Sequence, residues 1–234
     1  MTAITKHPQG ADTTMMGVVH DALRRDLARL QAVLPASPPP DHHRRAAIAG
    51  HAEWMMDFLH RHHHGEDEGL WPLVRQRAPQ AAALLDRMEA DHLLVVPAAG
   101  HVSAAAARYR ADPGAEARTG LLGTLDALAD CLLPHLRAEE DEAMPLVSAV
   151  LSDAEWRAWD HQHNVKGKSL QQLAADGHWL MDGLDRTRYQ VLIHLVPPPA
   201  RLLIVKGFAR RYRNACALRW GPEVTVGPQG SGAA

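Results

Sequence analysis

The sequence predicts an all-α protein: an up-down-up-down four-helix bundle followed by a C-terminal helical extension. Apolar residues recur at three- and four-residue spacing in four long runs, short proline- or glycine-bearing turns separate those runs, and no segment among them alternates as a strand would. The bundle is expected over residues 1–151 and the extension over 152–234, with a disordered tail after Trp220.

The first helix is expected from Thr14 to Leu34, where Met16, His20, Leu23, Leu27, Leu30 and Leu34 share one face. The run Pro35 to Pro40 stops it, and Asp41 is placed to cap a second helix from His42 to Arg77. That helix has a stripe of His51, Trp54, Met55, Phe58, His62, Glu66, Leu70 and Leu73, with Gly65 and Pro72 predicting a kink or an early end. A third helix from Gln80 to Arg110 buries Leu85, Met88, His92, Val95, Ala99 and Val102, and Asp112-Pro113-Gly114 ends it. A fourth, from Ala115 to Val150, carries Leu121, Leu125, Leu128, Leu132, His135, Glu139, Glu142 and Leu146.

Composition narrows the function. A net charge of −2 gives no general attraction to nucleic acid or anionic membrane. Two cysteines in unrelated contexts exclude a disulfide framework and a thiolate zinc site. No apolar run approaches the ~20 residues of a membrane span, and the N-terminus lacks a signal-like apolar segment. A soluble, cytoplasmic protein is the expectation. Histidine is abundant, at 16 residues, and His60, His62, His63 and His64 run directly into Glu66-Asp67-Glu68.

Each of the four apolar stripes is interrupted by histidine: His20, His62, His92 and His135. Two of these begin His-x-x-x-Glu pairs, His62 with Glu66 and His135 with Glu139, and residues four apart share a helix face. His62 and His92 lie at similar distances from their shared loop, as do His92 and His135; a three-residue mismatch is only about 4.5 Å. His20 matches His62 more loosely. All four histidines can therefore occupy one layer. Two buried carboxylates without Lys or Arg on the inward stripes would cost several kcal/mol each, roughly, unless a cation joined them. Six imidazole and carboxylate donors without thiolate exceed one tetrahedral zinc and suit two iron or manganese ions, with Glu66 and Glu139 bridging and four histidines capping.

Two segments, His62-His63-His64-Gly65-Glu66-Asp67-Glu68-Gly69-Leu70-Trp71-Pro72-Leu73 and His135-Leu136-Arg137-Ala138-Glu139-Glu140-Asp141-Glu142-Ala143-Met144-Pro145-Leu146, align without gaps. Together with His20 and His92 they resemble the hemerythrin-like, or HHE cation-binding, family of the bacterial type, over Met16 to Val150. The alignment selects His62 over its neighbours, so His60, His63 and His64 are expected to be exposed or outside the ligand set. The resemblance implies two non-haem iron ions and oxygen, peroxide or nitric oxide as the small ligand. The chain departs from oxygen-carrying hemerythrins at Val96, where a second helix-3 histidine stands, and at Glu140, where an aspartate stands; Glu139 or Glu140 can be the bridge, and Glu139 matches Glu66. Met16, Leu23, Phe58, Leu59, Val95, Val96 and Cys131 fall within one turn of a ligand and are expected to line the site.

In the extension, Ser152 to Glu155 reads as a capping box opening a helix with Trp156, Trp159 and His163 on one face. Gly167-Lys168-Ser169 lacks the earlier glycine of a phosphate loop. A helix is expected from Arg186 to Val196. Another, after Pro199, mixes Leu202 to Val205, Phe208 and Tyr212 with Lys206, Arg210, Arg211 and Arg213, and is expected to pack on the bundle, with a protein partner or a membrane surface as the alternative. The residues leave open a redox enzyme, a sensor signalling through these helices, or a store of iron or oxygen.

Overall fold

The computed structural model describes residues 10–195 and 208–221. Among these the fold is all-helical, and the one extended contact is an isolated bridge between Gly10 and Ser152. The first half of the predicted basic helix, Leu202 to Lys206, the N-terminal tail before Gly10 and the tail beyond Gly221 lie outside the described residues.

Helix α1 spans Thr14–Val33 and α2 spans His42–Gly65, the latter capped as predicted by the Asp41 carboxylate, which accepts from the Arg44 amide at 2.8 Å. The chain does not stop or break after Gly65. It widens into a single π-helical turn, Glu66–Leu70, and continues as α3, Trp71–Arg77. The same sequence of events follows α5, Ala115–Ala138: a π turn over Glu139–Ala143, then α6, Met144–Val150. Pro72 and Pro145 explain both. Each lacks an amide hydrogen and its ring collides with the carbonyl four residues earlier in an α-helix; widening the preceding turn relieves the collision. Between these runs, α4 covers Ala82–Ala111.

Helix α4 packs along α2 and along α5, and α1 lies against α5 and α2. Their apolar stripes form two separate clusters. One contains Leu23, Leu27, Ile48, Leu59, Val95, Leu128 and Leu132; the other contains Met16, Leu70, Trp71, Leu85, Met88, Ala143 and Val147. On each helix the candidate site residues stand between the two clusters: His20 between Met16 and Leu23, His62 to Glu66 between Leu59 and Leu70, His92 between Met88 and Val95, His135 to Glu139 between Leu132 and Ala143. A polar layer is thus sandwiched between dry cores.

The extension begins with α7, Asp153–Asp160, opened by the predicted capping box of Ser152 and Glu155. A π turn over His161–Val165 leads to α8, Leu170–Met181, for which Ser169 and Gln172 form a second capping box, so Ser169 serves as a helix cap. Helix α9 covers Arg186–Leu195, and α10, Ala209–Trp220, packs on α2 and α8 with Cys216 and Trp220 buried and Arg210, Arg211 and Arg213 exposed. A buried clasp joins this region to α1. Asp26 accepts hydrogen bonds from Trp179 at 2.8 Å and from Arg25 at 2.8 Å, and it meets His51 at 2.7 Å. Arg29 bridges Asp26 to Asp182, to which Tyr212 also donates. No helix among the described residues is long and apolar enough to cross a membrane.

Candidate metal centre

All six residues singled out from the sequence are buried and brought together. His20, Glu66 and Glu139 have no exposure at all, and His62, His92 and His135 have at most 4%. The Glu66 carboxylate lies between two imidazoles, with Oε1 3.1 Å from His62 Nε2 and Oε2 3.4 Å from His92 Nε2. Glu139 mirrors it: Oε2 is 3.3 Å from His20 Nε2 and 3.7 Å from His135 Nε2. His20 and His62 approach at 3.5 Å between their Nε2 atoms, closing one side of the cluster.

The other side contains a residue the sequence reading set aside. His63 is not exposed or peripheral; it is 2% exposed, stacks on His92 at 4.1 Å and meets His135 edge-on at 5.1 Å. Nitrogens of His63, His92 and His135 lie within 4.8 Å of one another, an arrangement able to hold a metal ion. Successive helical residues differ by about 100°, so a face wide enough for an apolar stripe admits both His62 and His63. The repeat alignment held the clue: Leu136, which aligns with His63, is fully buried, so that position faces inward in both halves. His60 and His64 are exposed, as expected.

Glu139 and Glu140 point in different directions. Glu139 faces the cluster, whereas Glu140 accepts from Arg24 at 2.8 and 3.0 Å and contacts His20 Nδ1 at 2.8 Å from behind. Asp67 contacts His92 Nδ1 at 2.8 Å in the same manner, and Asp91 lies 3.5 Å from His135 Nδ1. A carboxylate behind an imidazole draws the ring proton to Nδ1 and aims Nε2 forward. Each of these three acids is the chain neighbour of a clustered residue, a signal the sequence reading did not use. Of the expected lining residues, Val96 is 46% exposed and turns away from the cluster, because only Val95 continues the inward stripe. Cys131 is half-buried on backbone carbonyls, and burial pushes its thiol up, which leaves it protonated.

Many polar atoms of the cluster find no hydrogen-bond partner among the described residues. Both oxygens of Glu66 and of Glu139, both ring nitrogens of His63 and of His135, and Nε2 of His92 are buried without a hydrogen-bond partner. Burial, with Glu139 and Asp67 nearby, pushes the Glu66 carboxyl well above the usual range. Burial also opposes charge on His20, but Glu139 and Glu140 outweigh it and raise its pKa. Burial dominates at His62, held down to about 3, and at His63, held well below its ordinary value, each with other imidazoles adding to the effect. Unpaired imidazoles and two carboxylates around one space, with no Lys or Arg among the described residues paired to either Glu, fit a multivalent cation.

No curated protein and no solved structure matches the chain. The model of the hemerythrin HHE cation-binding domain matches residues 12–147, which take in the whole cluster. That match covers more than half of the sequence, and the chain therefore belongs to the hemerythrin HHE cation-binding domain family.

Proposed function

We propose that this protein is a non-haem di-iron protein that binds and reacts with a small oxidant such as oxygen, peroxide or nitric oxide. The observation that carries the reading is the pair of carboxylates, each spanning two imidazole groups with its oxygens otherwise unpaired. In this reading residues 1–151 form an up-down-up-down four-helix bundle, and the two π turns beginning at Glu66 and Glu139 turn these carboxylates inward at one height. His20 and His62 would hold one ion, His63, His92 and His135 the other, with Glu66 and Glu139 between them. Imidazole and carboxylate without thiolate suit iron of this kind. Bound iron would supply reversible one-electron chemistry and an open position for a diatomic or peroxide ligand.

The chain's own residues set the conditions. Asp67 and Glu140 keep His92 and His20 in one tautomer and orientation, while the two flanking apolar clusters exclude bulk water. Neutral imidazoles and ionised carboxylates are the binding forms, so cation uptake competes with protons and weakens as pH falls. Two free thiols agree with a reducing, cytoplasmic setting.

A sensor is the second reading, favoured by one contact. Trp159 of the extension donates a hydrogen bond to the Gly65 carbonyl at 2.8 Å, directly before the π turn that bears Glu66. A shift of that turn would be felt in α7.

Metal analysis of anaerobically purified protein, with optical spectra before and after air, peroxide and nitric oxide, tests the proposal. About two irons per chain with oxidant-dependent near-ultraviolet bands are expected, both lost or diminished in His62→Ala. A metal-free wild type, or a single zinc indifferent to His62→Ala, would refute it.

A further inference from the structure

One pocket of the fold lies outside the polar layer. A cavity of about 680 Å3 opens between α2, α8 and α10, within the ~300–1,000 Å3 range of small-molecule sites. Its wall is aromatic. Trp54 and Trp179 meet edge-to-face at 5.1 Å, His51 stacks on Trp54 at 5.4 Å, and Tyr212 stacks on His178 at 5.6 Å. Three polar atoms of this wall are committed to the clasp: Trp179 Nε1 and His51 Nε2 to Asp26, and the Tyr212 hydroxyl to Asp182. Trp179 and His51 are themselves buried in the clasp, so the ring surface left to the cavity is that of the half-buried Trp54, His178 and Tyr212 seated against them.

The rest of the lining is positive. Arg61, Lys168, Arg211 and Arg219 line the cavity against a single carboxylate, Asp176, which Lys168 already engages at 2.7 Å. Arg61 and Arg211 are exposed and have no ion pair among the described residues, which puts two uncommitted guanidinium groups at the mouth. Nε of Arg219 is buried without a partner. Rigid ring surface favours a flat aromatic body through stacking, and a fork of guanidinium donors favours a phosphate or carboxylate.

We propose that this cavity binds a planar aromatic anion of the flavin-nucleotide type, its ring system against Trp54 and Tyr212 and its anionic group at Arg61 and Arg211. The site does not depend on the metal reading. It is nevertheless in contact with the polar layer, because Phe58 lies 5.8 Å from Trp54 and stacks on His62 at 6.3 Å. Two ring contacts separate the two sites.

Titration of the purified full-length protein with flavin mononucleotide, riboflavin and inorganic phosphate, followed by tryptophan quenching and flavin polarisation, tests this. Saturable binding of flavin mononucleotide is expected, at least about tenfold tighter than riboflavin, since only the former offers a group to the arginines. The pair Arg61→Glu with Arg211→Glu should weaken flavin mononucleotide at least about tenfold, leave riboflavin and the iron content unchanged, and fold normally because both side chains are exposed. Trp54→Leu should weaken both flavins. No saturable binding overturns the proposal. So does binding of flavin mononucleotide and riboflavin alike without effect of the arginine pair, or full competition by phosphate alone, which would mark a simple anion site.

Discussion

His63→Leu separates the metal-binding role of the overlooked histidine from a merely structural one, because the two roles predict opposite signs. Leucine is what the repeat carries at the aligned position, Leu136, where it packs with no exposure. In the metal-free protein His63 is buried with neither ring nitrogen bonded, and its pKa is pushed well down, so it is a neutral polar group without compensation. An unsatisfied buried polar group costs about 1–3 kcal/mol. Its replacement by leucine should therefore raise the melting temperature of the chelated protein by roughly 2–12 °C for a chain of this size. In the metal-loaded protein the order should reverse. In the proposed two-ion centre the variant keeps His92 and His135 but loses the third nitrogen of that group, so one ion should bind at least about 100-fold more weakly, beyond the 10–100-fold typical of losing a supporting contact. Differential scanning calorimetry with and without chelator, beside iron quantification, reads both effects. A variant that is destabilised without metal and still retains two irons would show that His63 is a packing residue.

Three further outcomes follow from the geometry. Asp67→Asn should lower metal affinity about 10–100-fold while leaving the fold intact, since it touches His92 only at Nδ1; unchanged affinity by competition with a chelator would remove Asp67 from any orienting role. Asp26→Asn should cost about 3–5 kcal/mol at neutral pH by breaking a buried charged cluster. Burial opposes the Asp26 charge, but His51 and Arg25 outweigh it and hold its pKa below the ordinary 3.8, so its stabilisation is complete above that value and fades as pH falls beneath it. The gap between wild type and variant in urea denaturation should accordingly stay flat from pH 7 to about 5 and shrink below about 4; a gap that closes near pH 6 would point to another group. Gly69→Ala would bring a methyl group to 2.6 Å from His163 Nε2 and 2.8 Å from Trp159 Cδ1, and should destabilise the protein by about 1–3 kcal/mol by levering α7 from the π turn. Neutral thermal stability in that variant would mean the extension is loosely seated.

Helical periodicity made much of this protein legible from residues alone. Met16, His20, Leu23 and Leu27, or Met88, His92 and Val95, announce both a helix and its inward face, because a 3.6-residue repeat maps spacing directly onto direction. The histidine and glutamate pairs were readable for the same reason, and the capping boxes because their hydrogen bonds are local. Three features depended on the folded chain. His63 joins the cluster because a helix face is wider than one residue, and only its neighbours α4 and α5 decide how far around that face the site extends. The π turns at Glu66 and Glu139 arise where a proline meets a helix that packing will not allow to end, a contest between local geometry and tertiary burial. The aromatic cavity exists because Asp26, on α1, captures Trp179, on α8, from 153 positions away, a contact no local pattern encodes. Local spacing determined which side chains face inward; only long-range packing decided which of them meet.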